Sequence, residues 1–373
     1  MRIGIDISQV VYQGSGVSRF NEGLIKEICK SNTKNEYVFF FSSLRSTLPD
    51  EIFNVINNKG FKLISYNIPP KLLSYISHSW RKISSALLPF YKDAKKYTDF
   101  FVTSDWSELF LSVPKATIVH DLVFKRFPET LPTVIKKTQE QRLKYISAES
   151  DLIFVDSYST KEDLKKFYNV NDSRIFVNYP GVTFENDTLL KADPLKEKLN
   201  IQGAYILSVG KIEPRKNIER LIKAFSLLNK QDLSLVIVGA KGWGNEKFSN
   251  IKNVIFTGYV SDTDLKKLYK DALFFIYPSL YEGFGYPVIE AMMLGCPVAT
   301  SNTSSLGEIS KDYALQFDPH NIGAISKIMN TLYTDSAIRA QLSKKGLSYS
   351  KKFTFQNYLK TFENKIEEVY KIR

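Results

Sequence analysis

Two carboxylates, Glu282 and Glu290, flank a glycine pair in the stretch Tyr281–Glu290, YEGFGYPVIE. Three cations, Lys211, Arg215 and Lys216, crowd the stretch Gly210–Asn217, GKIEPRKN. Carboxylates accept hydrogen bonds from sugar hydroxyls, and guanidinium and ammonium groups hold phosphate oxygens through charge-assisted bonds. A third candidate is His120, followed directly by Asp121 in a chain with only three histidines. These residue types suit the binding of an anion together with a polyhydroxylated group, provided the fold brings them together.

The elements that must position them can be read from local pattern. Leu273–Tyr277 (LFFIY) reads as a buried strand. Glu282-Gly283-Phe284-Gly285 must then be a loop of close backbone approach, and Pro287 suits the first turn of a helix. Val288, Ile289, Ala291, Met292 and Leu294 continue that helix until Gly295 stops it. Strand, glycine loop and helix N-terminus aim backbone N–H groups and the positive dipole end at one point. Glu282 on the loop and Glu290 one helical turn inside can border the same pocket at different depths. A plainer reading is a Rossmann-like repeat with two surface glutamates and a helix cap. The cations follow a second strand, Ala204–Val209, and Asn217 is expected to cap the helix Ile218–Leu228. Three cations at a helix N-terminus oppose its dipole, which is costly unless an anion such as a diphosphate is bound.

Alternation of strands and helices runs through the whole chain. Expected strands are Arg2–Ile7, Tyr37–Phe41, Phe61–Ile64, Phe100–Thr103, Ala116–Val119, Leu152–Val155 and Ile175–Asn178, then Leu233–Gly239, Val254–Thr257 and Pro297–Thr300 beside those already named. The fold class is α/β, with doubly wound parallel sheets. Gln13-Gly14-Ser15-Gly16 forms a glycine loop before the helix Val17–Cys29, but its spacing is not the dinucleotide fingerprint, so no NAD site is expected. His120-Asp121 closes the strand Thr117–Val119, where residues at strand carboxyl ends line a ligand crevice. Either His120 belongs to a site or it is a loop histidine satisfied by Asp121. Ser261-Asp262-Thr263-Asp264 contains an Asp-x-Asp that in some transferases holds a metal; here it reads better as a helix start, capped by Ser261.

The 373 residues allow two domains, and the composition, 43% hydrophobic and 24% charged, is that of a globular protein. The N-terminus runs straight into a strand pattern, and no apolar run approaches the about 18 residues that span a membrane. Cys29 and Cys296 have no metal or disulfide spacing, so a reducing cytoplasm is the expected compartment. The net charge of +12 suits nucleic acid, anionic lipid or phosphorylated substrates alike, but no nucleic-acid motif accompanies it and no nucleic-acid partner is expected. In Lys71–Tyr97, Leu72, Ile76, Trp80, Ile83 and Leu87 form one helical stripe, beside Lys71, Arg81, Lys82, Lys92, Lys95 and Lys96 against the single acid Asp93. That is either a core helix with a basic face or a helix on an anionic leaflet, with Trp80 and Tyr91 at headgroup level. His78 and His320 lack comparable context.

Taken together, the chain resembles the retaining glycosyltransferases of family 4, and within them the group containing bacterial polysaccharide mannosyltransferases. The resemblance rests on VGKIEPRKNIERLIKAF, TGYVSDTDL, YEGFGYPVIEAMMLGCPVATSNTSSLGEI and VHDLVFKRFPETL, and more weakly on MRIGIDISQVVYQGSGVSRF and VNYPGV. It covers nearly the whole chain and is most specific between Ser208 and Glu308. It implies the GT-B fold, two facing Rossmann-like domains with a cleft between them: an acceptor-binding domain over 1–185, a nucleotide-sugar domain over 195–352 after a polar linker Glu185–Asn200, and a tail, 353–373, packed back on the first. It implies roles residue by residue. Glu282 contacts the donor sugar or stabilises the reacting centre, and Glu290 holds the ribose. The backbone of Gly283, Phe284 and Gly285 meets the sugar. Arg215 and Lys216 neutralise the diphosphate, with Gly16 near it. Val260 and Asp262 border the base, and His120 stands beside the transferring sugar. Lys211 stands where members differ, and Gly307 replaces a usual proline, which is expected to loosen that turn. The implied reaction moves a hexosyl group, first mannose from GDP-mannose, to a glycan or lipid-linked glycan acceptor, with no cofactor and no metal. The enzyme would be cytoplasmic, with a peripheral inner-membrane position through 71–97 as an option. Two other classes share parts of this pattern: a GT-B nucleotide-sugar epimerase, needing no acceptor, and a non-catalytic basic protein that binds nucleic acid or membrane.

Overall fold

The computed structural model describes residues 1–12, 16–79, 89–103, 105, 106, 108–183, 195–240, 242 and 251–372. The chain divides into two compact units. One comprises Met1–Phe124, Thr133–Thr183 and Phe353–Arg373; the other comprises Lys125–Pro132 and Phe184–Lys352.

The first unit is built on a seven-stranded sheet: β1 (Arg2–Asp6), β2 (Glu36–Ser42), β3 (Lys62–Tyr66), β4 (Phe100–Thr103), β5 (Lys115–Val119), β6 (Leu152–Val155) and β7 (Ile175–Val177), in the order β3-β2-β1-β4-β5-β6-β7. All pairings are parallel. Strands such as Tyr37–Phe41 are apolar at every position because helices cover both faces. The closing helix, Phe355–Ile372, packs on this unit through Phe355, Tyr358, Leu359, Phe362 and Ile366. Its entry is cut to fit: a Cβ on Gly23 would stand 2.1 Å from the Phe355 ring, and one on Gly181 would stand 2.4 Å from the Phe355 backbone nitrogen. Further along, Glu363 accepts hydrogen bonds from Tyr37 and Asn35.

The second unit holds β8 (Ala204–Val209), β9 (Leu233–Val238), β10 (Val254–Gly258), β11 (Phe274–Tyr277), β12 (Val298–Ser301) and β13 (Leu315–Phe317), in the order β10-β9-β8-β11-β12-β13. Its core joins Ile206, Leu235, Ile237, Phe274 and Ile276 to Ile218, Leu221, Ile222 and Phe225, the apolar face of the helix Ile218–Ser226. Both sheets are doubly wound. Strand order reverses once in each, between β1 and β4 and between β8 and β11. Such switch points leave a crevice at the strand carboxyl ends, where ligands of open α/β sheets bind.

Several expectations need correction. Lys125–Pro132, expected within the N-terminal domain, belongs to the second unit, because the Phe127 ring packs 6.0 Å from that of Tyr281. Of the stretch Lys71–Tyr97, the structure describes 71–79 and 89–97. Helices Pro70–Ser79 and Pro89–Tyr97 place Leu73, Phe90 and Ala94 in a core with Val38, Phe40 and Phe101, and Tyr91 is buried rather than available to a headgroup. Leu72 and Tyr75 are exposed; Arg81, Lys82, Trp80, Ile83 and Leu87 lie outside the described residues. Of the expected linker, 185–194 also lies outside them, and Leu195–Lys198 is helical. Gly307 sits not in a turn but inside the helix Ser304–Ser310, where a Cβ would stand 2.5 Å from the Asn302 carbonyl oxygen.

Candidate active site

The second unit's switch point gathers the charged residues. After β8, Gly210 (φ +152°) turns the chain against Gly239, where a Cβ would meet the Gly210 carbonyl oxygen at 2.1 Å. Glu213 then leads into a short 3-10 turn, Pro214–Lys216. Asn217 follows in the left-handed region (φ 61°) and does not cap the next helix with its side chain. Its amide donates instead to the carbonyl oxygens of Pro278 (3.1 Å) and Pro319 (2.8 Å), tying the β8 loop to the β11 loop.

The cations already have an anion, one that their spacing did not reveal. Arg215 Nη1 lies 2.8 Å from Glu282 Oε1, and Lys216 Nζ 2.6 Å from the same oxygen. Tyr277 Oη and Ser279 Oγ also donate to it, at 2.9 and 2.6 Å. Arg215 further donates to Glu213 Oε1 (2.6 Å) and the Tyr281 carbonyl (2.6 Å). Burial by itself would raise the Glu282 carboxyl; Arg215, Lys216 and these hydrogen bonds overcome it and hold it at about 2. Lys216 is pushed below the ordinary lysine value, by burial first and then by repulsion from Arg215. A further negative charge at this point would therefore stabilise its charged form. Lys211 is exposed, on the edge of the same loop.

The glycine loop after β11 is rigidly held. Ser305 Oγ donates to the carbonyls of Glu282 (2.9 Å) and Phe284 (2.8 Å), and the Glu282 N–H donates to Ser304 Oγ (3.0 Å). Gly285 has φ +110°, with a Cβ position 2.6 Å from Leu306 Cδ2, so no other residue fits there. Gly283 and Phe284 are buried on this loop. The helix Tyr286–Met293 follows and carries Glu290, 3% exposed, with Oε2 accepting from Tyr269 Oη at 3.2 Å. Val260 is half-buried and Asp262 exposed, at the start of the helix Asp262–Asp271; Ser261 Oγ caps it by accepting from the Asp264 N–H. Among the described residues no group of three or more His, Cys, Asp or Glu could hold a metal ion.

In the first unit, Gly16 opens the helix Gly16–Lys30 with open space where a Cβ would stand. His120 is paired with Asp156. The register Val119↔Val155 sets the next residues of β5 and β6 side by side, and His120 Nδ1 lies 2.7 Å from Asp156 Oδ2. Asp121 instead accepts from the Val123 N–H. Burial opposes the imidazolium, but Asp156, with Asp105 and Asp121 further off, lifts His120 to about 9. Phe20 packs edge-on against the ring at 4.9 Å. Sequence reasoning missed Asp156, Glu213, Tyr277 and Ser279. Tyr277 and Asp156 stand at or just past strand carboxyl ends, the signal that also marked His120.

Residues 191–348 match the family of glycosyl transferases group 1. The chain is 26% identical over 381 residues to O-antigen chain mannosyltransferase B of Escherichia coli, covering 96% of this chain and 97% of that protein. Among solved structures it is similar to a sucrose-phosphate synthase of Thermosynechococcus elongatus (TM-score 0.72, 18% identity, all of both chains). It is also similar to Anabaena HepE in complex with UDP and glucose (TM-score 0.71, 14% identity, 99% of this chain and 100% of that one).

Proposed function

We propose that this chain is a GT-B glycosyltransferase close to the bacterial mannosyltransferases, and that it transfers mannose from GDP-mannose to a glycan or lipid-linked glycan with retention of configuration. The observation that carries the reading is the cluster of Arg215, Lys216 and Glu282 at the second unit's switch point. The donor diphosphate takes Arg215 and Lys216, and the Glu282 carboxylate they release turns to the sugar. Glu290, on the helix behind the loop, holds the ribose, and Val260 and Asp262 border the base.

In the reaction the bond from the sugar's anomeric carbon to the phosphate oxygen breaks and a bond to the acceptor hydroxyl oxygen forms. Negative charge grows on the leaving diphosphate, where Arg215 and Lys216 are already fixed, so little reorganisation is needed. The acceptor's proton passes to the leaving phosphate on the same face of the sugar, which gives retention. Two buried cations do the neutralising, and no metal is required. In the first unit His120, held as imidazolium by Asp156, is a hydrogen-bond donor for a sugar hydroxyl. Mannosyltransferases of O-antigen chains are the named relatives, and polysaccharide synthesis is the corresponding setting. Exposed Leu72 and Tyr75, beside exposed Lys71, support a peripheral position on an anionic leaflet for the Pro70–Ser79 helix. No helix among the described residues is long and apolar enough to cross a membrane.

The test is a thermal-shift panel of GDP-, UDP- and dTDP-sugars, followed by NMR of the anomeric configuration of the transferred sugar. Only a ligand that binds the folded state raises its melting temperature. Stabilisation by GDP-mannose above the other donors, and an α-linked product, are expected. Stabilisation by UDP- or dTDP-sugars alone overturns the donor, and a β-linked product overturns retention.

A further inference from the structure

The two sheets share one topology, but their switch points carry different chemistry. In the second unit the residues after β8 and β11 are ionic. In the first unit the corresponding strands are β1 and β4, paired in parallel through Ile3↔Phe100 and Ile5↔Val102. The short turn Ser8–Val11 after β1 delivers Tyr12, and the loop after β4 delivers Trp106. Their ring centroids are 6.5 Å apart with planes inclined at 37°. Tyr12 is 56% exposed and Trp106 half-buried, so two large aromatic surfaces stand where a doubly wound sheet binds its ligand.

Both aromatics rest on fixed supports. Ser8 accepts from the Ser42 N–H (2.9 Å) and its own N–H donates to Asp6 Oδ1 (3.0 Å), which pins the turn before Tyr12. Asp105, next to Trp106, is held by Arg142 Nη1 on its carboxylate (3.2 Å) and by Gln139 Nε2 on its carbonyl (3.0 Å). Arg142 is itself buried and donates to the Thr117 hydroxyl and the Ile118 carbonyl. Lys71 Nζ lies 5.2 Å from the centre of the Trp106 ring. One strand further along the same carboxyl edge stands His120.

We propose that Tyr12 and Trp106 form a sugar-binding subsite, on which the terminal ring of the glycan acceptor stacks. A pyranose has an apolar C–H face and a rim of hydroxyls; rigid aromatic surfaces match the first, and Tyr12 Oη, Lys71 and His120 supply polar partners for the second. A diphosphate needs concentrated cations, which this aromatic pair does not offer. The proposal rests on the transferase reading and adds the residues and the chemistry of its acceptor side.

The test uses methyl α-D-mannopyranoside as probe, followed by saturation-transfer NMR and by tryptophan emission, with full-length wild type, Tyr12→Ala, Trp106→Ala and Trp106→Phe. GDP-induced melting shifts in the same samples report the second unit separately. Wild type should bind the probe with a change in emission, and each alanine variant should weaken binding about tenfold while keeping its GDP shift. Trp106→Phe should keep most of the affinity and lose the emission change. Unaltered probe affinity in both alanine variants, or a wild type that answers GDP and ignores the probe, overturns the subsite. A wild type that binds the probe through Tyr12 and Trp106 and ignores GDP, UDP and dTDP supports the subsite and overturns the transferase reading instead.

Discussion

Lys216 Nζ and Glu282 Oε1 stand 2.6 Å apart, so a cation expected to await phosphate is already engaged by the carboxylate expected to meet the sugar. On the proposed reading, ligand binding at this point is an exchange of partners: a diphosphate displaces Glu282 from Lys216 and Arg215, and the displaced carboxylate becomes available to the sugar. Binding of the anion and placement of the carboxylate then become one event.

Glu282→Gln tests that coupling. The variant should lose transfer, and its ligand-free form should lose about 3 kcal/mol of stability because the largely buried Lys216 loses its carboxylate and Arg215 keeps only Glu213. GDP should then restore more of its melting temperature than in wild type. Because folding lowers the Glu282 value from 4.5 to about 2, its contribution is present above pH 4.5 and lost as the pH falls towards 2. Acid titrations of stability should show that loss in wild type and not in Glu282→Gln; superimposable curves would contradict the pairing.

Asp156→Asn addresses His120. Folding raises the imidazole from 6.5 to about 9, so the stabilisation from this pair is complete below pH 6.5 and disappears as the pH rises through about 9. Wild type should lose melting temperature relative to Asp156→Asn across that window. The variant's transfer rate should also fall off at lower pH than that of wild type, with the donor KM little changed. A pH–rate profile identical in both proteins would show that Asp156 does not set the state of His120.

Much of this molecule was legible in its sequence. The expected strands formed, because apolar runs bounded by glycine, proline and polar clusters leave few alternatives, and β3 differed only by lying slightly further along. What was not legible depends on register. Asp156 becomes the partner of His120 only when Val119 pairs with Val155, and Glu282 meets Arg215 only when β8 and β11 lie side by side. Neither pairing is a property of local spacing. For Lys71–Tyr97 the limit is related: a periodic stripe tells which residues share a helix face, not what covers that face, and here Leu73, Phe90 and Ala94 meet the core while Leu72 and Tyr75 are exposed.

Gly23→Ala should test how the closing helix is seated. Its Cβ would enter the Phe355 ring, so the helix Phe355–Ile372 must shift, at a cost of about 1–3 kcal/mol. Limited proteolysis should release the C-terminal segment sooner than in wild type. Unchanged melting and digestion would mean that Phe355 moves aside freely.

On the proposed reading Arg215 and Lys216 neutralise the diphosphate, so transfer should persist in excess EDTA. Turnover lost in EDTA and regained with magnesium or manganese would mean that these cations do not suffice.

The most direct measurement is calorimetric titration of GDP-mannose into wild type and into Arg215→Ala/Lys216→Ala. Each charge-assisted bond to phosphate contributes about 1.5–3 kcal/mol, so the double variant should bind at least about a hundredfold more weakly. Circular dichroism establishes that the variant is folded. Binding of GDP-mannose by wild type and its loss in the folded variant is the predicted result; equal affinity in the two proteins would contradict a nucleotide-sugar site at the second unit's switch point.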